Sequence, residues 1–140
     1  MILENRFSND EYLASLSNAL AHFLMQSIQP EKNISKAALD IANTISDNFF
    51  DCTLNVGELL KKSGYAKDYI RAHFKLLTKK TPIEFLTEAR INHACFLINV
   101  YKDSLHLTEI AEKCGYTDYI YFSRRFKQIV GVSPQKYIEK

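Results

Sequence analysis

The chain has 140 residues, 46% of them hydrophobic, with a formal net charge of +2 and only four glycines and three prolines. That much apolar material supports one sizeable core or two small ones and excludes a disordered chain. No apolar run approaches the ~20 residues of a membrane span, and the opening stretch MILENRFSNDE is too polar for a secretory signal, so the expected location is cytoplasmic, with no membrane partner.

The charge is unevenly spread. Residues 53–140 hold 15 Lys and Arg against 9 Asp and Glu, a net of +6, whereas residues 1–52 hold 3 against 7, a net of −4. A basic half fits a polyanionic partner and an acidic half does not. Strand-like alternation is hard to find despite 8 Tyr and 9 Phe, so the pattern predicts an all-α protein.

Residues 1–7 offer little. From Asn9, read as an N-cap, Leu13, Leu16, Leu20, Phe23 and Leu24 recur at spacings of three and four to about Ile28, which predicts an amphipathic helix. Its stripe has two readings: it folds back on this chain, or it is a dimerisation or interdomain helix that makes a homodimer through residues 9–28. The stripe covers under three heptads, too few for a free-standing coiled coil. Pro30, within Gln29–Asn33, predicts a break and a linker, which makes residues 1–33 a first segment. A second helix is then expected from Ile34 to about Phe50, with Ala38, Ile41, Ala42, Ile45, Phe49 and Phe50 along one side. Asn55 and Glu58 follow at the spacing of a capping box.

Beyond this point the chain repeats itself. Leu59 matches Ile110, Gly64-Tyr65 matches Gly115-Tyr116, Phe74-Lys75 matches Phe126-Lys127, Pro82 matches Pro134 and Phe85 matches Tyr137. The offset is 51 residues through the Gly-Tyr turn and 52 from the Phe-Lys pair onward, so one residue has been gained between them. Each copy reads as two short helices meeting across a Gly-Tyr turn, the helix-turn-helix arrangement. Each copy also ends in a hydroxyl residue followed by proline, Thr81-Pro82 and Ser133-Pro134, a pairing that launches a helix because proline lacks only an N–H that has no helical partner there. Glu84 completes a capping box with Thr81. The helix from Pro82 to about Val100, roughly 28 Å long at 1.5 Å per residue, is a stiff linker between the copies. Its length approaches the ~34 Å recurrence of the major groove on one face of B-DNA.

Enzymatic chemistry finds no support. His22, His73, His93 and His106 are scattered, and His93 and Cys95 lie two apart on a helix and so on different faces. Cys52, Cys95 and Cys114 lack metal-binding spacing, which argues against a metal, against any cofactor and against a fused repair enzyme.

The run from Leu54 to Lys140 resembles the DNA-binding domain of the AraC/XylS family of bacterial transcription regulators. The residues that carry the resemblance are Ile110-Ala111, Gly115-Tyr116, Tyr121 to Lys127, Gly131 and Ser133-Pro134, together with Arg90 and Ala94 in the linker helix. It implies seven helices in two helix-turn-helix units joined by the linker helix: residues 34–80, 81–100 and 101–140, with the N-terminal amphipathic helix as an addition. It also implies sequence-specific binding of double-stranded DNA, with the second helix of each unit in a major groove, and transcription activation through RNA polymerase.

By that resemblance the base-contact candidates are Lys67, Asp68, Arg71 and Ala72 on the first of these helices and Tyr119, Ile120, Ser123 and Arg124 on the second. Arg71 and Arg124 suit bidentate pairing with guanine, Tyr119 and Ile120 suit thymine methyls, and packing is the competing role for both apolar residues. Lys75, Lys79, Lys80, Thr81, Arg125, Lys127 and Ser133 are the phosphate candidates. Arg90 is cast as a structural bridge between the units. Three positions depart from the family pattern: Lys79 stands opposite Gly131, Ala66 opposite the capping hydroxyl of Thr117, and His106 where Ser is common. A helical adaptor that binds protein in place of DNA is the alternative reading.

Overall fold

The structure, a computed structural model, describes the backbone of residues 2–140 and the side chains of residues 10–26 and 30–140. Seven α-helices and no strand make up the described residues: α1 Ile2–Asn48, α2 Val56–Lys62, α3 Lys67–Thr78, α4 Pro82–Tyr101, α5 Leu107–Lys113, α6 Tyr119–Val130 and α7 Pro134–Ile138. The chain divides into two compact units, residues 1–36 and 37–140.

In the first unit the N-terminal amphipathic stretch is helical, as its spacing predicts, and Leu13, Leu16, Leu20 and Leu24 are exposed. α1 begins at Ile2, ahead of the expected start at Asn9, and it passes through Pro30 without interruption, so the break over residues 29–33 and the fresh start at Ile34 are absent. A proline removes one N–H and crowds the carbonyl four residues back. Strong helix formers flank it here on both sides, from Met25 and Gln26 to Glu31, Lys32, Lys36 and Ala37, and they carry the helix across a single lost bond.

The second unit holds the repeat. Ala38, Ile41, Ala42 and Ile45 are buried along one face of the remainder of α1, but Phe50, expected on that face, lies past the helix end and is 55% exposed. Val56, Leu60, Ile70 and Phe74 are the buried residues of α2 and α3. In the second copy Ile110, Ala111, Cys114, Tyr116, Phe122 and Phe126 form one core with Ile91, Ala94, Leu97 and Ile98 of α4. The duplication extends to ring geometry. Phe74 meets Phe85 edge-on at 5.5 Å between centroids, and Phe126 meets Tyr137 at the same 5.5 Å.

Local chemistry sets the helix ends. Asn55 Oδ1 accepts the Glu58 N–H at 3.3 Å to begin α2. Thr81 and Glu84 make both halves of a capping box at the start of α4, and α4 is 20 residues long, about 30 Å. His106 opens α5 with its N–H donated to the Glu109 carboxylate at 2.8 Å. The hydroxyl cap expected at Thr117 is not the one used: Asp118 caps α6, its Oδ1 accepting the N–H groups of Ile120 and Tyr121. Ala66 before α3 makes no such bond. Because α3 and α6 both run for 12 residues, the pairing of Ala66 with Asp118 places the extra residue of the second copy at Thr117, in the turn.

Candidate nucleic-acid interface

The second helix of each copy buries one stripe and presents the other. On α3, Ile70 and Phe74 are fully buried while Lys67, Asp68, Arg71 and Ala72 are exposed. On α6, Phe122 and Phe126 are fully buried while Ile120 and Arg124 are exposed, with Ser123 half-buried between them. Tyr119 behaves differently from its neighbours. It packs against the second core with its ring centroid 5.9 Å from that of Phe122, and burial raises its phenol pKa. Ile120, at 64% exposed, is the apolar residue of this helix most open to a partner.

The two presented faces differ in chemistry. On α3, Arg71 Nη1 lies 3.4 Å from Asp68 Oδ1, a surface pair one helical turn apart. On α6, the exposed Tyr121 entered the sequence reading only as part of the family signature, with no site role, yet its hydroxyl accepts from Arg125 Nε at 3.1 Å and its ring lies under the guanidinium at 5.4 Å. Gln128 Oε1 accepts from the Arg125 Nη1 at 3.1 Å. The spacing of four between Tyr121 and Arg125 was the available signal, since such residues are neighbours on a helix surface.

Lys75 and Lys127 occupy equivalent exposed positions on the last turns of α3 and α6. Lys79 follows α3 and is exposed, and Lys80 is ion-paired with Glu88. The Thr81 hydroxyl and N–H are both committed to Glu84, whose carboxyl is held below its ordinary range by those bonds. Ser133 Oγ accepts the Lys136 N–H at 3.4 Å. The structure brings part of this set together. Lys79 and Lys80 from the end of the first copy, Thr87 and Glu88 from α4, and Arg125 and Gln128 from α6 line a single notch of about 420 Å³. No group of three or more His, Cys, Asp or Glu side chains suited to a metal occurs among the described residues. No helix there is long and apolar enough to cross a membrane.

Two helix-turn-helix units on one stiff connector define a double DNA-binding module. The sequence model of a helix-turn-helix domain family matches residues 59–140, and the chain belongs to that family, the AraC/XylS-type transcription regulators. It is 24% identical over 122 residues to the Msm operon regulatory protein of Streptococcus mutans, covering 87% of this chain and 43% of that protein. It is similar in structure to the C-terminal domain of AraT, a response regulator from Geobacillus stearothermophilus, with a TM-score of 0.66, 27% identity and coverage of 74% of this chain and 84% of that one. In fold it also matches the DNA-binding domain of AdpA, a global transcriptional factor solved in complex with a target DNA, with a TM-score of 0.65, 19% identity and coverage of 73% and 89%. The chain spans well under two thirds of the length of curated relatives such as the Msm regulator.

Proposed function

We propose that α3 and α6 enter consecutive major grooves on one side of a duplex and read two short blocks of sequence about one helical turn apart. The observation that carries this reading is the equivalence of the two helices: the same length and the same buried stripe, Ile70 and Phe74 in one and Phe122 and Phe126 in the other, joined through a 20-residue α4. Arg71 and Arg124 are the base-reading cations, each suited to the O6 and N7 of guanine, and Ile120 suits a thymine methyl. Lys67, Asp68, Ala72 and Ser123 share those faces. Lys75, Lys79, Lys80, Arg125, Lys127 and Ser133 act on phosphates and fix register.

The whole regulator acts in the cytoplasm as an activator that touches RNA polymerase, a reading supported by relatives such as the transcriptional activator RhaR of an Enterobacter strain, 27% identical over 121 residues. It pairs as a homodimer through residues 9–28, where the exposed leucines of α1 supply an apolar stripe. Selection of bound sites from random duplex tests the central claim. Two enriched blocks one turn apart are expected, and an unenriched pool from protein that binds every duplex alike would remove the base-reading roles. Sedimentation of the wild type and of Leu16→Glu tests the dimer, which the charge in the stripe should split.

A further inference from the structure

The notch between the two copies has no role in reading the blocks. Its walls come from both copies: Lys79 and Lys80 on one side, Arg125 and Gln128 on the other, with α4 as the floor. Its acidic groups are already engaged, Glu88 with Lys80 and Glu84 with the Thr81 N–H. Among the described residues Lys79 and Arg125 make no ion pair, and Arg125 is held in place by the Tyr121 ring and hydroxyl and by Gln128. The notch therefore presents two cations, one from each copy, and one of them is fixed in orientation before any partner arrives.

Between two consecutive major grooves on one side of B-DNA lies a minor groove. If α3 and α6 occupy the major grooves, the segment facing the notch is the minor groove of the spacer and the phosphates along its two rims. The negative potential there deepens as the groove narrows, and it narrows most readily in A·T-rich sequence. We propose that Lys79 and Arg125 grip the two rims of the spacer's minor groove, so that the protein selects an A·T-rich spacer through groove width with no contact to its bases. The inference rests on the groove assignment made above for α3 and α6, and it gives the phosphate-facing cations a share in specificity.

The test uses the full chain and one selected operator whose blocks are held constant while the spacer alone is changed. Three spacers are compared: A·T, G·C and inosine·C, the last having the major-groove edge of G·C but, lacking the 2-amino group, the minor-groove character of A·T. Wild type should bind the A·T and inosine·C spacers roughly 5- to 10-fold more tightly than G·C. Arg125→Ala and Lys79→Ala should each weaken binding to every operator and shrink that ratio toward one, and Tyr121→Phe, which removes the hydroxyl but keeps the ring and Gln128 beside Arg125, should reduce the ratio in part. Indifference of the wild type to the spacer, with block preference intact, overturns this inference and leaves the groove assignment standing. So does an inosine·C spacer that behaves like G·C, or a spacer ratio untouched when Lys79→Ala and Arg125→Ala are combined in one protein. Loss of preference for the blocks themselves overturns the assignment on which the inference rests.

Discussion

The guanidinium of Arg90 lies over the ring of Tyr116, with Cζ 5.5 Å from the centroid. The same group donates from Nε to the Phe49 carbonyl at 2.7 Å and from Nη2 to the Asp51 carbonyl at 2.9 Å. α1 has no basic residue in its last turn, so a cation from α4 faces the carbonyls just past its negative end. One side chain thus ties the end of α1, the middle of α4 and the turn of the second copy together.

This fork predicts a specific failure of conservative replacement. Arg90→Ala should cost about 2 kcal/mol in denaturant unfolding, the scale of hydrogen bonds to a charged donor at a half-buried site. Arg90→Lys should recover less than half of that, because an ammonium on a flexible stem cannot reproduce a planar fork stacked on an aromatic face. A lysine variant as stable as the wild type would show that charge alone matters at this joint.

Gly115 is the second component of the joint. It has φ +86°, and a Cβ there would lie 2.7 Å from the Phe49 carbonyl oxygen and 3.0 Å from Arg90 Nε. Gly64, its counterpart in the first copy, has φ +80° but open space where a Cβ would sit. Gly64→Ala should therefore cost only the left-handed backbone term, ~1–2 kcal/mol, and Gly115→Ala should exceed it by at least ~1 kcal/mol because backbone must also move. Equal losses in thermal unfolding of the two variants would mean that the close approach at Gly115 carries no energy.

Tyr116 itself is imperfectly satisfied. Its ring sits in the second core against Phe122, but its hydroxyl is buried without a hydrogen-bond partner. Burial pushes its pKa from 10.0 up to about 12, with Arg90 opposing part of the shift. Because the folded value is raised, the neutral phenol's contribution to stability is complete below pH 10 and is lost as pH rises through about 12. Tyr116→Phe removes the unpaired group, so at neutral pH it should be neutral or stabilising by about 1 kcal/mol. Above pH 10 its unfolding free energy should fall less steeply than that of the wild type. Cys114, also pushed by burial to about 12, keeps some alkaline slope in the variant. A variant that loses stability at neutral pH would show that the hydroxyl has a partner in solution.

Much of this was legible before any coordinates. The repeat and the Thr81 capping box follow from residue spacing and cap chemistry, and the bridging part of Arg90 was cast together with the family resemblance. What escaped were places where a local rule is outweighed. Pro30 signals a break, yet one lost N–H does not stop a 47-residue helix rich in strong formers. Lys79 lacks the glycine that Gly131 supplies, yet it adopts φ +65° all the same and donates its N–H to the Lys75 carbonyl at 2.8 Å. Closing α3 there outweighs a left-handed backbone cost of ~1–2 kcal/mol. Asp118 was hidden by a one-residue ambiguity in the repeat, which only the equal lengths of α3 and α6 resolve. Tyr119 lies three residues before Phe122 and seven before Phe126, the spacing of the buried stripe, but the groove-facing position implied by the family resemblance masked that signal.

The division between reading and anchoring is testable on α6 alone. Arg124 and Lys127 are both exposed cations three residues apart, so a purely electrostatic partner would treat them alike. If Arg124 pairs with a guanine, Arg124→Ala should relax preference at one position of one block at a cost of ~1–3 kcal/mol. Lys127→Ala should weaken binding to every duplex by a similar factor and lower the slope of log affinity against log salt by about one contact, because it releases one fewer counterion. Competition between operator and scrambled duplex across a salt series separates the two outcomes. Parallel losses on both duplexes for both variants would reduce Arg124 to a phosphate anchor and move base reading to Arg71 and the α3 face.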